Sequence, residues 1–485
     1  VIIKLAGYNI EVEQIDNLES TNGEILTPET FSSAYARISR SQKDVTTLRY
    51  RARQDIEKAR KSNKTIIFDM GHHSVAEHAV FNFDIIGVSR LALEEIEQFR
   101  LVSFTEKSQR YVTLKGDFVL PKEIKDKESQ KLFIEIIQLQ NEFYTKSFSI
   151  LREYIFNKFP KLAEKKSNVK LLEGWAKEDA RYILALATEG QVGMTINARN
   201  LEHLLRRFSL SKRTEVKDIG KEIFEQVKRI APSIILFLEP SNFAKDFETF
   251  FKRKLLIKSS SKINKNPKII DYTKNADEII LASFFSIHNS INFNEALKIL
   301  KALPAKKKEN LYKDLFKRME FFDNPPREFE MADITFEVVI SASNFAQLKR
   351  HRMATLLSGD YHLEFGNIIP ENIKACNLQD DFLEIINRTN DVYKRLIGRY
   401  PHTADYILTN SHCRQVIMKM NLRELYHFIR LRDDDHAQWE IRELAHHLLE
   451  KVKPLWPQST LLLCGKSNFV KKFKGIYNKS PEYEI

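Results

Sequence analysis

The side chains best able to do chemistry in this chain are arginines and histidines at short, repeated spacings. Arg350, His351 and Arg352 stand together, preceded by Gln347. Asn197 and Arg199 are followed by His203, and the same order returns as Asn421, Arg423 and His427. In both cases the histidine falls one helical turn after the arginine. Guanidinium groups grip carboxylates and phosphates through paired hydrogen bonds, so the chemistry suggested is recognition of an anion.

Other chemistries are missing. No Gly-x-Gly-x-x-Gly follows a strand-like run, which excludes the dinucleotide fingerprint. Gly465-Lys466-Ser467 looks like the end of a phosphate loop, but Thr460 stands where that motif needs glycine. A nucleotide would have to be held by side chains such as arginine. The run Gly71-His72-His73-Ser74-Val75-Ala76-Glu77-His78 offers imidazoles and a carboxylate, yet its spacing is one residue too long for an inverted zincin motif. No metal site is expected there, and His72 and His78 read as core histidines. No Gly-x-Ser-x-Gly elbow is present. Cys376, Cys413 and Cys464 all fall late in the chain and are too few for a disulfide framework, so a reducing, cytoplasmic setting is expected.

Elements must position these groups. Phe81, Phe83 and Ile85 alternate with polar residues, as a half-buried strand requires, and Ser89 can cap a helix over 90–100. The order repeats: alternation over 334–340 predicts a strand, and 343–352 a helix. Residues 195–204 find their echo in 419–428. Trp439 and Ile441 share a helix side with Leu444 and Ala445 and read as core. Two echoes in the same order argue for a tandem duplication of a mixed domain of roughly 230 residues. Ser, Lys and Asn accumulate over 251–268, which reads as a linker between domains at 1–250 and 269–485.

Of 485 residues, 43% are apolar and 29% charged, and no run is long and apolar enough for a spanning helix, which excludes a disordered or membrane-embedded chain. The short apolar start, Val1-Ile2-Ile3-Lys4, is too short for the hydrophobic region of a signal peptide. The net charge of +12 suits a protein that handles anions. Nucleic acid is disfavoured as the partner, because no recognisable module is present and the aromatics form no stacking stripe with basic residues.

The string from Arg350 to Thr355, with Gln347 before it, resembles the signature of the flavin-dependent thymidylate synthases, the ThyX family. So do Asn421-Leu422-Arg423, His427, Arg432 and Asp435-His436-Ala437-Gln438-Trp439-Glu440-Ile441. In the first half the pattern is carried by 72–78, by Gly87-Val88-Ser89-Arg90 and by 103–111. The resemblance implies an α+β fold: two tandem ThyX-like domains, each a mainly antiparallel sheet flanked by helices, forming an intramolecular pseudo-dimer. It implies methylation of dUMP to dTMP, with methylenetetrahydrofolate and NADPH as co-substrates and FAD as cofactor. Two chains would then pair as a homodimer imitating the family's homotetramer.

Neither half matches the whole family pattern. The first keeps Glu106, Ser108, Gln109, Arg110 and Arg181, which match residues that hold dUMP. It has Glu95 for the family Gln, Gln98-Phe99-Arg100 for Arg-His-Arg, Phe208 for the later Arg and Lys212 for a flavin-side His. The second keeps Gln347, Arg350 and Arg432 on the dUMP side, but has Ser358, Asp360 and His362 for Glu, Ser and Arg, and Asp405 for a phosphate-binding Arg. Ser74, Asn197, Arg199, His203, Arg350, His351, Arg352, Asn421, Arg423, His427 and His436 match flavin-contacting positions. By the resemblance, Arg110, Ser108 and Arg181 clamp the phosphate and Arg432 stabilises charge on the uracil. A carboxylate facing a phosphate repels it. The expectation is therefore one composite site per chain and one dead reciprocal. The alternatives are a catalytically inactive flavin- or nucleotide-binding descendant, or a nucleic-acid-binding protein.

Overall fold

The computed structural model describes residues 1–16, 25–112, 114–236, 238–254 and 265–483, with the side chains of 248, 249 and 251–254 outside the description. Most of the expected linker, 255–264, therefore lies outside it. The chain divides into two compact units: Val1–Ser260 with Pro370–Thr409, and Ser261–Ile369 with Asn410–Ile485. No helix among the described residues is long and apolar enough to cross a membrane.

The first unit is built on an antiparallel sheet in the order β1-β2-β4-β3: β1 Ile2–Tyr8, β2 Val80–Ser89, β3 Ser103–Glu106 and β4 Glu189–Asn197. Phe81, Phe83 and Ile85 of β2 face inward with Val192, Met194 and Ile196 of β4, as the alternation predicts. Helices then carry the functional segments: α1 Arg90–Ile96, α2 Lys127–Lys158, α3 Val169–Ala180, α4 Ala198–Ser209 and α5 Thr214–Ile230. Leu201, Leu204, Leu205 and Phe208 form the buried stripe of α4 against that sheet face. Burying a side chain of this size is worth about 1.5–3 kcal/mol, so the stripe fixes the helix firmly.

The second unit repeats the plan in the order β5-β6-β8-β7: β5 Lys268–Tyr272, β6 Asp333–Ser341, β7 Thr355–Tyr361 and β8 Cys413–Asn421. Its matching helices are α6 Ala342–Leu348, α8 Leu422–Arg432 and α9 Trp439–Val452. The repetition reaches single contacts. Ser89 caps α1 and sends its Oγ to Glu215 at 2.7 Å, while Ser341 caps α6 and donates to Glu440. Asn197 pairs with Val80 across the first sheet, and Asn421 with Asp333 across the second.

Some expectations change. The helices expected over 90–100 and 343–352 stop at Ile96 and Leu348, and the second is capped by Ser341. β3 and β7 begin only a few residues later, so the chain must turn back to its sheet. Arg350, His351 and Arg352 thus sit on a turn after the helix. His72 and His78 are exposed rather than core, although His78 meets the ring of Tyr35 edge-on at 4.5 Å. Ile441, Leu444 and Ala445 are buried, and Trp439 is half-buried.

The segment 370–409, which sequence order assigns to the second copy, packs within the first unit. Its helix α7, Gln379–Ile397, lies against α2: Phe382 meets Phe143 at 5.9 Å, and Gln140 donates to Thr389 at 2.9 Å. Apolar burial therefore groups these residues by packing and not by position in the chain.

Candidate active site

In the first unit, β3 ends at Glu106 and the chain turns, with the Arg110 amide donating to Ser108 Oγ at 3.2 Å. Arg110 Nε lies 2.7 Å from Glu178 of α3. Arg181 follows the end of α3 and is 4% exposed. Burial lowers its pKa, Glu178 raises it, and Arg110 and Arg90 lower it further. Arg110 and Arg181 repel one another and share Glu178, an arrangement suited to an anion, while Arg90 is balanced by Glu94 at 3.2 Å. A cavity of about 410 Å3 is lined by Glu106, Lys107 and Ser108 with Asp84, Thr105 and Gln191, and the arginines are not part of its lining. Gln109 is half-buried in the same turn.

The equivalent stretch of the second unit is built differently. Strand β7 runs on to Tyr361, so Ser358 and Asp360 lie on a strand instead of a turn. Arg414 of β8 donates to the Gly359 carbonyl from Nε at 2.8 Å, with its guanidinium over Tyr361 at 4.4 Å and Phe345 at 4.7 Å. The matching residue in the first unit is Gly190, where a Cβ would come within 2.8 Å of Leu93.

The polar cluster of the second unit centres on Arg432, the last residue of α8. Its Nε donates to His351 Nε2 at 2.8 Å, and its other nitrogens reach the Gln347 side chain at 3.4 Å and the Gln347 carbonyl at 3.3 Å. His351 is 3% exposed and turns its Nδ1 toward Glu424, 3.4 Å away. Burial, then Arg432, His427 and Arg350, hold the imidazole well below its usual pKa, so it is neutral and can accept from Arg432. Burial pushes Glu424 up. The result is a relay of Gln347, Arg432, His351 and Glu424 that fixes one guanidinium in place. In the first unit the matching positions of His351 and Arg432 are Phe99 and Phe208, which meet edge-to-face at 6.2 Å. One scaffold thus carries an apolar filling in one unit and a buried polar network in the other.

Glu95, matching Gln347, and Asp405, matching Arg181, also have a new function. Both ion-pair with Arg213 at 3.2 Å, and Tyr393 lies 3.4 Å from Asp405. Asp405 is buried and shares the single cation of Arg213 with Glu95, so negative charge remains in excess at this position.

The flavin-matching residues divide. Asn197 and Asn421 accept from backbone amides as helix caps. Arg199 pairs with Glu77, and Arg423 with Glu330 and the Pro325 carbonyl. These contacts are alike in both units and support the scaffold. Ser74, His203, Arg350, Arg352, His427 and His436 are exposed. Sequence reasoning missed Glu178, Glu424 and Asp434. Asp434 takes His436 Nδ1 at 2.9 Å and Ser467 Oγ at 2.7 Å, and it is held down at about 2 because those hydrogen bonds outweigh its burial. No local spacing marks any of the three. Burial raises the Cys413 thiol to about 12 and also raises Cys464, which disqualifies both as thiolate nucleophiles.

The sequence profile described as thymidylate synthase complementing protein, Thy1, matches residues 24–233 and again 268–458. A flavin-dependent thymidylate synthase of Clostridium tetani is 32% identical over 186 residues, 37% of this chain and 72% of that protein. A UPF0159 protein of Thermoplasma acidophilum is 23% identical over 459 residues, 84% of this chain and 88% of its own length. Among solved structures, thymidylate synthase X of Helicobacter pylori with FAD and dUMP is 17% identical, covering 49% of this chain and all of its own, at a TM-score of 0.30. A UMP/dUMP methylase of Streptomyces cacaoi is 16% identical at a TM-score of 0.34, covering 48% of this chain and 92% of its own.

Proposed function

Because this chain belongs to the Thy1 family of thymidylate synthase complementing proteins, we propose that it is a flavin-dependent thymidylate synthase with one composite active site per chain. The reaction is reductive methylation of dUMP to dTMP, with methylenetetrahydrofolate as carbon donor and NADPH as reductant. The observation that carries this reading is the complementary division of residues. The first unit holds Arg110 and Arg181 around Glu178. The second holds Arg432 on His351 and Gln347. Neutral decay would have struck both copies of some essential group.

Arg110, Arg181 and Ser108 bind the phosphate of dUMP. Arg432, kept cationic and oriented by a neutral His351, stabilises negative charge on the uracil ring as it develops. The donor set fits FAD: Arg350 and Arg352 present exposed guanidiniums suited to a diphosphate. His427 is exposed with its ring 5.7 Å from that of His351. When bound and reduced by NADPH, FAD would supply the hydride.

The test is dTMP formation from dUMP, methylenetetrahydrofolate, NADPH and FAD. Wild type is active; Arg432→Ala and Arg110→Ala each lose on the order of a hundredfold or more. Asp360→Ala stays within about twofold, as exposed substitutions usually do. Damage from Asp360→Ala instead would reverse which loop serves the nucleotide. Nucleotide binding without turnover would make the chain an inactive descendant.

A further inference from the structure

Helices α2 and α3 are antiparallel neighbours, and side-chain pairs fix their register. Arg152 of α2 bonds Glu173 of α3 at 2.9 Å. One turn along both, the ammonium of Lys177 sits 5.6 Å over the ring of Phe148. The next turn sets Tyr144 level with Arg181. Tyr144 stacks on Phe148, with ring centroids 6.4 Å apart, and is 3% exposed. Its hydroxyl meets no acceptor among the described residues, and its backbone contact is the Leu114 amide. The groups that bear on it are Arg181 and the Leu114 amide, and both are donors. A buried hydroxyl facing donors still lacks an acceptor for its own proton, and buried polar groups are rarely left so.

We propose that the Tyr144 hydroxyl donates a hydrogen bond to the phosphate of the bound nucleotide, completing with Arg110 and Arg181 a cradle for a phosphate monoester. Lys177 adds positive charge to this wall, Arg90 is balanced by Glu94 at 3.2 Å, and Glu178 is the counter-ion that holds Arg110. The proposal rests on the nucleotide reading above. Tyr144 is a binding residue, not a catalytic one.

The test is calorimetric titration of the full-length chain and of Tyr144→Phe with dUMP, deoxyuridine and inorganic phosphate. The variant should bind dUMP roughly tenfold more weakly, as for loss of a hydrogen bond to a charged group. Deoxyuridine, which lacks the phosphate, should bind both proteins alike. The ligand-free variant should melt within a few degrees of wild type, because the hydroxyl has no acceptor to lose and gives up only its contact with the Leu114 amide. Unchanged dUMP affinity, equal losses for dUMP and deoxyuridine, or a large fall in melting temperature would overturn the assignment. If wild type takes inorganic phosphate but not dUMP, the nucleotide reading fails. Tyr144 is then judged by whether its variant weakens phosphate. If wild type binds neither, both readings fall.

Discussion

At the scale of single residues, His351 shows how one imidazole can position a cation without carrying charge itself. Its Nε2 accepts from Arg432, so the proton resides on Nδ1, toward Glu424. Protonation would put two cations in contact, which is why Arg432 joins burial in depressing the pKa. A histidine whose folded-state pKa lies below the unfolded value, about 6.5, contributes stability that is complete above that value. The contribution drains as pH falls below it, because the unfolded chain then binds the extra proton. Glu424, raised by burial, acts in the opposite sense and gains as pH falls. His351→Phe, which installs the residue that the first unit has at this position, isolates the histidine. Between pH 7.5 and 5.5, wild type should lose more melting temperature than His351→Phe; parallel curves would sink this account. The Arg-His-Arg string was legible in sequence. Its neutrality was not, because it depends on a partner 81 residues away.

At the scale of elements, the turn between α8 and α9 must hold Arg432 and His436 steady, and a distant segment does this. Asp434 takes both the amide and the hydroxyl of Ser467, at 2.9 and 2.7 Å, and the Asp435 amide donates back to Ser467 at 3.2 Å. Gly465 makes the approach possible, since a Cβ there would stand 1.5 Å from the Asp433 carbonyl oxygen. Gly465→Ala should therefore cost about 2–4 kcal/mol, as other forced overpacking does. Ser467→Ala should cost about 1–2 kcal/mol, the worth of hydrogen bonds to a carboxylate. Urea unfolding reads both, and a Gly465→Ala variant as stable as wild type would refute the clamp. In sequence, Gly465-Lys466-Ser467 looked like a failed phosphate loop. It is a packing device, and no local pattern separates those meanings. The strands were legible because alternation follows from sheet geometry. The early helix ends were not, since they are set by where the next strand must begin.

At the scale of the molecule, the family profile matches twice, and under the proposed function each unit keeps residues that the other lacks. The echo of Asn-x-Arg and histidine, visible in sequence, corresponds to equal helix caps and to strand registers that agree except for a shift between Ile86 and Val88 in the first unit. Packing of 370–409 with the first unit was invisible, because the apolar face of α7 does not announce its partner. That packing brings Asp405 to Arg213, which also holds Glu95. Two carboxylates now occupy, with their own cation, the positions that match Arg181 and Gln347. A nucleotide bound there would have to separate two partly buried ion pairs, and breaking such pairs costs several kcal/mol. The expected stoichiometry is therefore one dUMP per chain in calorimetry or equilibrium dialysis. Arg110→Ala should abolish that binding and leave no residual second site. Arg213→Ala should destabilise the fold without raising the stoichiometry, because Asp405 and Glu95 would then lose the cation they share. Two dUMP per wild-type chain, with one surviving in Arg110→Ala, would mean that both copies still bind nucleotide and that the losses are not complementary.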